Sequence, residues 1–424
     1  MTAMRSLQRQ LAGAGLCCLL SACGSHEPAY RFEASPRALP VESHGVAARD
    51  ARVLVDPVSS GTIYVTDVEG TGANSRLLFR MSSDGGDTFD SPITVSTSTA
   101  PVSSHGENAP KLVQGGPLYA VWSGENGVFV ARSTTWGSSF EAPARVSDGK
   151  KGGFSGYPSL AAQLGKGVYV VWIDSRETTL QQDSYSLRIA SSMDAGATFS
   201  PSTRVALDVC PCCRPSVLIG EQGEVILFWR KIFAGPIHDM VAATSHDQGK
   251  TFSEPVRIAE DNWKIDGCPD SGIAVSRIGS RIYVAWLTEA RPDHRGVFLS
   301  WSDDQGAHWA PSVSASQSVL DANYPSLDAT EDGRVLLAFQ GRDPAVASGW
   351  APMGAFLVEI GADANLSEPI AIPSVGKPVS RPTIVSGTGG RVFIVWTAGG
   401  PESSQVVIER ARRNQGIGAL RRPS

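Results

Sequence analysis

The chain has no excess of positive charge. Its 37 lysines and arginines are outnumbered by 42 aspartates and glutamates, for a formal net charge of −5. That balance excludes a surface built to neutralise nucleic-acid phosphate. A membrane-spanning start is also lacking: the apolar run Leu11 to Leu20 stops well short of the ~20 residues a bilayer requires. Cysteine is scarce, with seven in 424 residues, and Cys17, Cys18 and Cys23 lie near the start. Only Cys210, Cys212, Cys213 and Cys268 remain for the body of the chain. Glycine and proline are plentiful instead, at 44 and 27, and tryptophan and β-branched residues sit in short runs. This composition predicts an all-β chain, and 42% apolar content supplies a large core.

One spelling recurs. Ser192-Met193-Asp194-Ala195-Gly196-Ala197-Thr198-Phe199 has copies beginning at Ser82, Ser245 and, more loosely, Ser302, with a worn copy at Ser133 that lacks the aspartate. The copies start roughly 50–60 residues apart, a repeat period. Each reads as a turn, with Ser and Asp side chains bonding nearby backbone and Gly free to take positive φ. Around each turn the same unit can be traced as strand a, b, c, turn, strand d. Strand b is the clearest: Thr62–Thr66, Leu118–Trp122, Val168–Trp172, Val225–Trp229, Ile282–Trp286, Val335–Phe339 and Val392–Trp396. Such continuous apolar runs suit strands buried on both faces. Strand a often opens on proline (Pro110, Pro158, Pro215, Pro325, Pro382), which the first residue of a strand tolerates. The expected fold is a β-propeller of four-stranded blades. Seven blades are favoured, and six remain open if residues 52–94 pack differently. The last unit lacks strand d, and Tyr30-Arg31-Phe32-Glu33-Ala34 is expected to supply it and close the ring.

The first residues, with Arg5, Arg9 and the apolar run, end in Leu20-Ser21-Ala22-Cys23-Gly24, which resembles a bacterial lipobox. The resemblance implies a signal peptide over 1–22, lipidation of Cys23 and an envelope lipoprotein, favouring the outer membrane. Residues 23–48 then form a tether and closing strand, 49–412 the propeller and 413–424 a flexible tail.

The repeated turns resemble the Asp boxes of the sialidase superfamily, also called BNR-repeat proteins. In sialidases three arginines hold the substrate carboxylate, a Tyr–Glu pair is the nucleophile and an Asp the acid/base. They also carry Phe/Tyr-Arg-Ile-Pro near the start and have six blades. Here Tyr30-Arg31-Phe32 lacks the Ile-Pro. The pairing of Cys210-Pro211-Cys212-Cys213 with Gly267-Cys268-Pro269 is similar to secreted sialidase-like bacterial proteins with no established reaction. The lead-in from Trp263 to Asp266 and the Arg230 to Asp239 stretch fit the same pattern.

In a propeller of this order the Asp-box turns fall on the back, and the b–c and d–a loops on the front. Front loops carry the candidate site. Both cysteine clusters lie there, in adjacent units. Three readings stay open: a disulfide from Cys210, Cys212 or Cys213 to Cys268, a Zn or Cu site with His238 as an added ligand, or a redox dithiol. Arg176, Arg214, Arg230, Arg342 and Arg381 are expected to project forward and bind a carboxylate, sulfate or phosphate. Tyr157 and Trp263 join them as sugar-contacting residues. Asp174, Asp239, Asp266 and Tyr324 are the catalytic candidates, with Glu177, Asp270 and Asp343 as further acids on that face. His105, His238 and His294 also fall in front loops. The leading expectation is a lipid-anchored module that binds an anionic carbohydrate. The alternatives are an exo-sialidase-type glycoside hydrolase and a thiol-based metal-binding lipoprotein.

Overall fold

A computed structural model of the chain describes residues 29–33, 35–40, 47–59, 61–149, 153–177, 185–265, 267–291, 295–346, 351–400 and 403–414. The expected signal segment 1–22, Cys23, Asp266, His294 and most of the tail lie outside the described residues. The remainder is all β, with two short 3₁₀ turns. Among the described residues no helix is long and apolar enough to cross a membrane.

The strands form four-stranded antiparallel meanders. Their innermost strands are Ala48–Val55, Lys111–Gln114, Ser155–Gln163, Ser216–Ile219, Ala274–Ile278, Leu320–Ala329 and Val379–Ser386. Each packs against the next and the last against the first, closing a ring around a central channel. By hydrogen bonding, however, the molecule is not the seven separate blades expected from the sequence. Five sheets are single blades, and the meanders at 155–209 and 216–257 fuse into one eight-stranded sheet. The fusion is made by Val209 pairing with Lys231, and the Cys210 N–H extends it by donating to the Arg230 carbonyl at 3.0 Å. Residues 48–94 form an ordinary four-stranded blade.

The b strands hold the core. Trp122, Trp172, Trp229, Trp286 and Trp396 are fully buried between blades. Several of these strands run past the tryptophan: Val225–Phe233 continues four residues beyond Trp229, and Val335–Arg342 ends on Arg342. Ring closure is by the N-terminal strand, as the missing strand d requires. Tyr30–Phe32 pairs with Gln405–Arg413, the last strand of the final blade.

The repeated turns all use one geometry. Ser192 Oγ donates to Asp194 Oδ1 (2.7 Å) and accepts the Gly196 N–H (2.8 Å). Asp194 also accepts the Thr198 N–H (2.9 Å) and hydroxyl (2.6 Å). Gly196 sits at φ 82°, where a Cβ would be strained and would press on Tyr119. The turns join the third and fourth strands of a blade, opposite the channel mouth described next.

Candidate functional site

Four innermost strands carry a β-bulge at their front end, and each bulge contains a left-handed residue: Asp50 (φ 57°), Tyr157 (54°), Tyr324 (53°) and Arg381 (51°). Non-glycine residues hold this conformation only where surroundings over-determine it, and bulges commonly re-aim side chains at functional sites. Here a side-chain oxygen accepts each exceptional N–H. Asn108 Oδ1 takes that of Tyr157 (2.6 Å), Asn323 Oδ1 that of Tyr324 (2.7 Å), Gln340 Oε1 that of Arg381 (2.9 Å) and Thr397 Oγ1 that of Asp50 (3.0 Å). Asn108, Gln340 and Thr397 come from the preceding blade. The mouth is therefore pre-organised around the ring.

The channel holds a cavity of about 390 Å³ lined by Arg52, Glu107, Lys111, Arg214, Tyr324, Asp328 and Arg381, among others. Arg214 is buried and donates to the backbone carbonyls of Glu107 and Ala109. Arg381 lies 3.7 Å from Asp50 and 3.9 Å from Asp270, and its guanidinium is 5.0 Å from the Tyr324 ring centroid. Asp270 also accepts the Glu107 N–H at 3.4 Å. Among the described residues, the Nε atoms of Arg214 and Arg381 and the Ser271 hydroxyl are buried without a partner.

The charges at the mouth perturb one another. Burial pushes Lys111 down to about 7, helped by repulsion from Arg214 and Arg52 and opposed by Glu107. Burial likewise brings Arg214 down to about 10. Asp270 is raised by burial and by Glu107, and Asp328 is raised to about 6 by burial. Burial raises Tyr157 and Tyr324 above the ordinary phenol range. A cluster of three arginines and a titratable lysine, with carboxylates interspersed, suits an anion with polar groups around it.

Of the residues expected from the sequence, Arg214, Arg381 and Tyr324 line this cavity, and Tyr157 stands on its bulge at the mouth. The others are placed elsewhere. Arg230 is buried inside a strand rather than in a loop. It donates to the carbonyls of His238 (3.2 Å) and Leu287 (2.9 Å) and lies over Trp263, bridging two blades. Trp263 is buried beneath it and has no face for a sugar. Arg176 is tied to Asp174 and Asp148, both at 2.8 Å. Arg342 pairs with Asp321 at 2.9 Å and donates to the Ala351 carbonyl. Asp174 is buried, accepts from Ser155, Trp172 and Arg176, and is held below the usual carboxylate range against the opposing effect of burial. Asp239 is buried and accepts the N–H groups of Asn262 and Trp263. These residues join blades and loops.

Arg52, Glu107, Lys111 and Asp50 were not singled out in the sequence. Register supplies the missing signal. Arg52 and Lys111 occupy the place held in the other innermost strands by Ser159, Ser216, Ala274, Ser326 and Thr383, each paired to the residue before the Trp or Phe position of strand b, which in the first blade is Asp67, one residue beyond the expected Thr62–Thr66. A cation there departs from an otherwise small-residue ring.

Beside the mouth, Cys212 is bonded to Cys268. Cys210 and Cys213 are free and buried. With Cys212 in the disulfide, Cys210, Cys213 and the adjacent His238 are the soft donors left for a metal.

A family model for the BNR repeat-like domain matches residues 122–337, half of the chain. The chain belongs to the BNR repeat-like family. It is a BNR-repeat propeller. A protein of unknown function from Dyadobacter fermentans DSM 18053 shares 14% identity over 92% of this chain and 100% of that one, with a TM-score of 0.56. At that identity the likeness concerns the fold alone. A Hadza microbial sialidase matches at 14% identity over 84% of this chain and 77% of its own, TM-score 0.48. An ulvan lyase bound to a GlcA(1-4)Rha3S saccharide matches at 14% over 72% and 80%, also with a TM-score of 0.48. Comparison with curated proteins finds no match.

Proposed function

We propose that this BNR-repeat propeller binds an acidic carbohydrate at the front mouth of its channel. The observation that carries the reading is the convergence of Arg52, Arg214, Arg381 and Lys111 on one cavity. A carboxylate or sulfate would sit among these cations, and Tyr157 and Tyr324 would flank the sugar. The Leu20–Gly24 stretch, which resembles a lipobox, supports an envelope lipoprotein anchored at Cys23. Replacing Cys23 with serine should abolish incorporation of labelled fatty acid.

The binding reading is tested by calorimetry with 3′-sialyllactose, a glucuronate disaccharide and a sulfated disaccharide, with lactose as the neutral control. Acidic saccharides should bind and lactose should not. Equal affinity for lactose, or no binding of any acidic saccharide, would overturn the reading. A glycosidase of exo-sialidase type is the second reading, because Tyr324 stands beside Arg381 with Asp270 and Glu107 nearby. Burial works against the phenolate such chemistry needs, and no carboxylate accepts from the Tyr324 hydroxyl among the described residues. Release of the fluorophore from a sialoside, lost in Tyr324→Phe, would decide for the hydrolase.

A further inference from the structure

Cys210 Sγ lies 3.8 Å from Cys212 Sγ and 3.4 Å from Cys213 Sγ. Cys212 is the disulfide partner of Cys268. Two buried thiols therefore stand against a closed disulfide, and its far end, Cys268, is exposed. We propose that these four sulfurs form a thiol–disulfide exchange site that locks and unlocks the two loops of the channel mouth.

The surroundings suit Cys210 as the attacking sulfur. Hydrogen bonding with Cys213 draws its thiol well below the ordinary value, assisted by neighbouring His238 and the buried Arg230 cation. Burial pushes Cys213 the other way, so Cys210 is the more readily ionised of the two. The thiolate is the reactive form. His238 lies beside Cys210, and its Nδ1 is buried with no partner among the described residues.

The exchange balances without any added oxidant or reductant. Cys210 thiolate attacks Cys212 Sγ and a Cys210–Cys212 bond forms. The Cys212–Cys268 bond breaks, its electron pair leaves on Cys268, and solvent protonates that thiolate. Cys213, on losing its proton, can then attack Cys210 and displace Cys212, moving the bond to Cys210–Cys213. One disulfide and two thiols are present throughout.

The bond moves from between two loops to within one. Arg214 follows Cys212 by two residues, and Asp270 follows Cys268 by two. The loops are also closely apposed: a Cβ on Gly272 would lie 2.7 Å from the Arg214 carbonyl oxygen. Exchange would release the Asp270 loop from the Arg214 loop and expose a free Cys268. The effect on ligand affinity rests on the mouth being the anion site, whereas the exchange itself does not.

The test uses full-length protein purified without reductant. It is held at neutral pH with N-ethylmaleimide, quenched in acid and mapped by non-reducing peptide mass spectrometry. Cys268 should become alkylated with time as peptides linked Cys210–Cys212 or Cys210–Cys213 appear. Cys210→Ser should slow the alkylation at least about tenfold, and Cys213→Ser should halt exchange at the Cys210–Cys212 linkage. A wild-type map that shows only Cys212–Cys268 throughout overturns the proposal, whatever the variants do. Equal Cys268 alkylation in Cys210→Ser also overturns it, as does stoichiometric zinc or copper that protects Cys210 and Cys213. Titration with 3′-sialyllactose separates the two readings. If neither the locked nor the exchanged form binds, the site assignment fails while the sulfur map stands. Weaker binding by the exchanged form supports the coupling.

Discussion

Arg381 illustrates how one side chain is aimed. Its left-handed backbone is held by Gln340 Oε1 from the preceding blade, and its guanidinium touches Asp50, Asp270 and Tyr324 only loosely. A charge-assisted hydrogen bond to a ligand contributes about 1.5–3 kcal/mol. Arg381→Ala should therefore weaken 3′-sialyllactose binding by roughly 10- to 100-fold with little change in melting temperature. Gln340→Leu, which removes the acceptor but no charge, should weaken it less, and titration calorimetry on both variants checks the order. Lys111 predicts a pH dependence. Its folded value near 7 means the cation is present below that pH and fades above it, so anion affinity should fall as pH rises through about 7. Asp328, ionising near 6 in the same cavity, moves affinity the same way. Lys111→Met should leave only the Asp328 step. Stability has the opposite sign. The unfolded lysine still binds its proton between about 7 and its ordinary 10.5, so stability should rise with pH across that window. Equal pH profiles for wild type and Lys111→Met would refute this account.

Among the elements, the Asp-box turn and strand b were legible because each repeats. Five tryptophans in register, and serine–aspartate turns at a fixed place, announce the blade before any contact is known. The site was less legible because single departures from the repeat make it. Arg230 follows a tryptophan and looked like a loop residue, but its strand runs on to Phe233 and buries it between blades. Arg52 and Lys111 stand where other blades place serine, alanine or threonine, a difference visible only once strand pairings fix the register. The four bulges were invisible for a further reason: left-handed tyrosine, aspartate and arginine carry no glycine to mark them. The turns also predict a separation of roles. Asp84, Asp194 and Asp247 are held far below the ordinary carboxylate range, chiefly by hydrogen bonds from their threonine partners. Their contribution is present at neutral pH and is lost as acid protonates them. Asp194→Ala should lower the melting temperature at pH 7, with the deficit narrowing in strong acid. Because the turn is on the back, 3′-sialyllactose affinity should be unchanged, and a matched loss of affinity would place the turn in the site.

The whole molecule depends on a closure made by the chain's two ends. Tyr30 pairs with Arg413, and Phe32 with Ala411, so an N-terminal strand completes the last blade. The Tyr30 hydroxyl donates to Glu359 Oε2 at 2.5 Å, and Arg413 binds the same carboxylate at 3.0 and 3.1 Å. Glu359 belongs to the preceding blade, so one half-buried carboxylate joins the closing strand, the final strand and the neighbouring sheet. Opposite this seam, the fused sheet over 155–257 joins two meanders by backbone pairing. Tyr30 is 2% exposed and packs in the core of the last blade. Tyr30→Ala should cost about 3–5 kcal/mol through the cavity it leaves. Tyr30→Phe, which keeps the ring but abandons the bond to Glu359, should cost about 1.5–3 kcal/mol. Urea denaturation followed by tryptophan fluorescence reads both, because the buried tryptophans are distributed around the ring. If closure couples the blades, each variant should shift one cooperative transition to lower urea at unchanged slope. A separate early transition in Tyr30→Ala, with the main one unmoved, would show instead that the last blade opens alone and that the ring does not unfold as a unit.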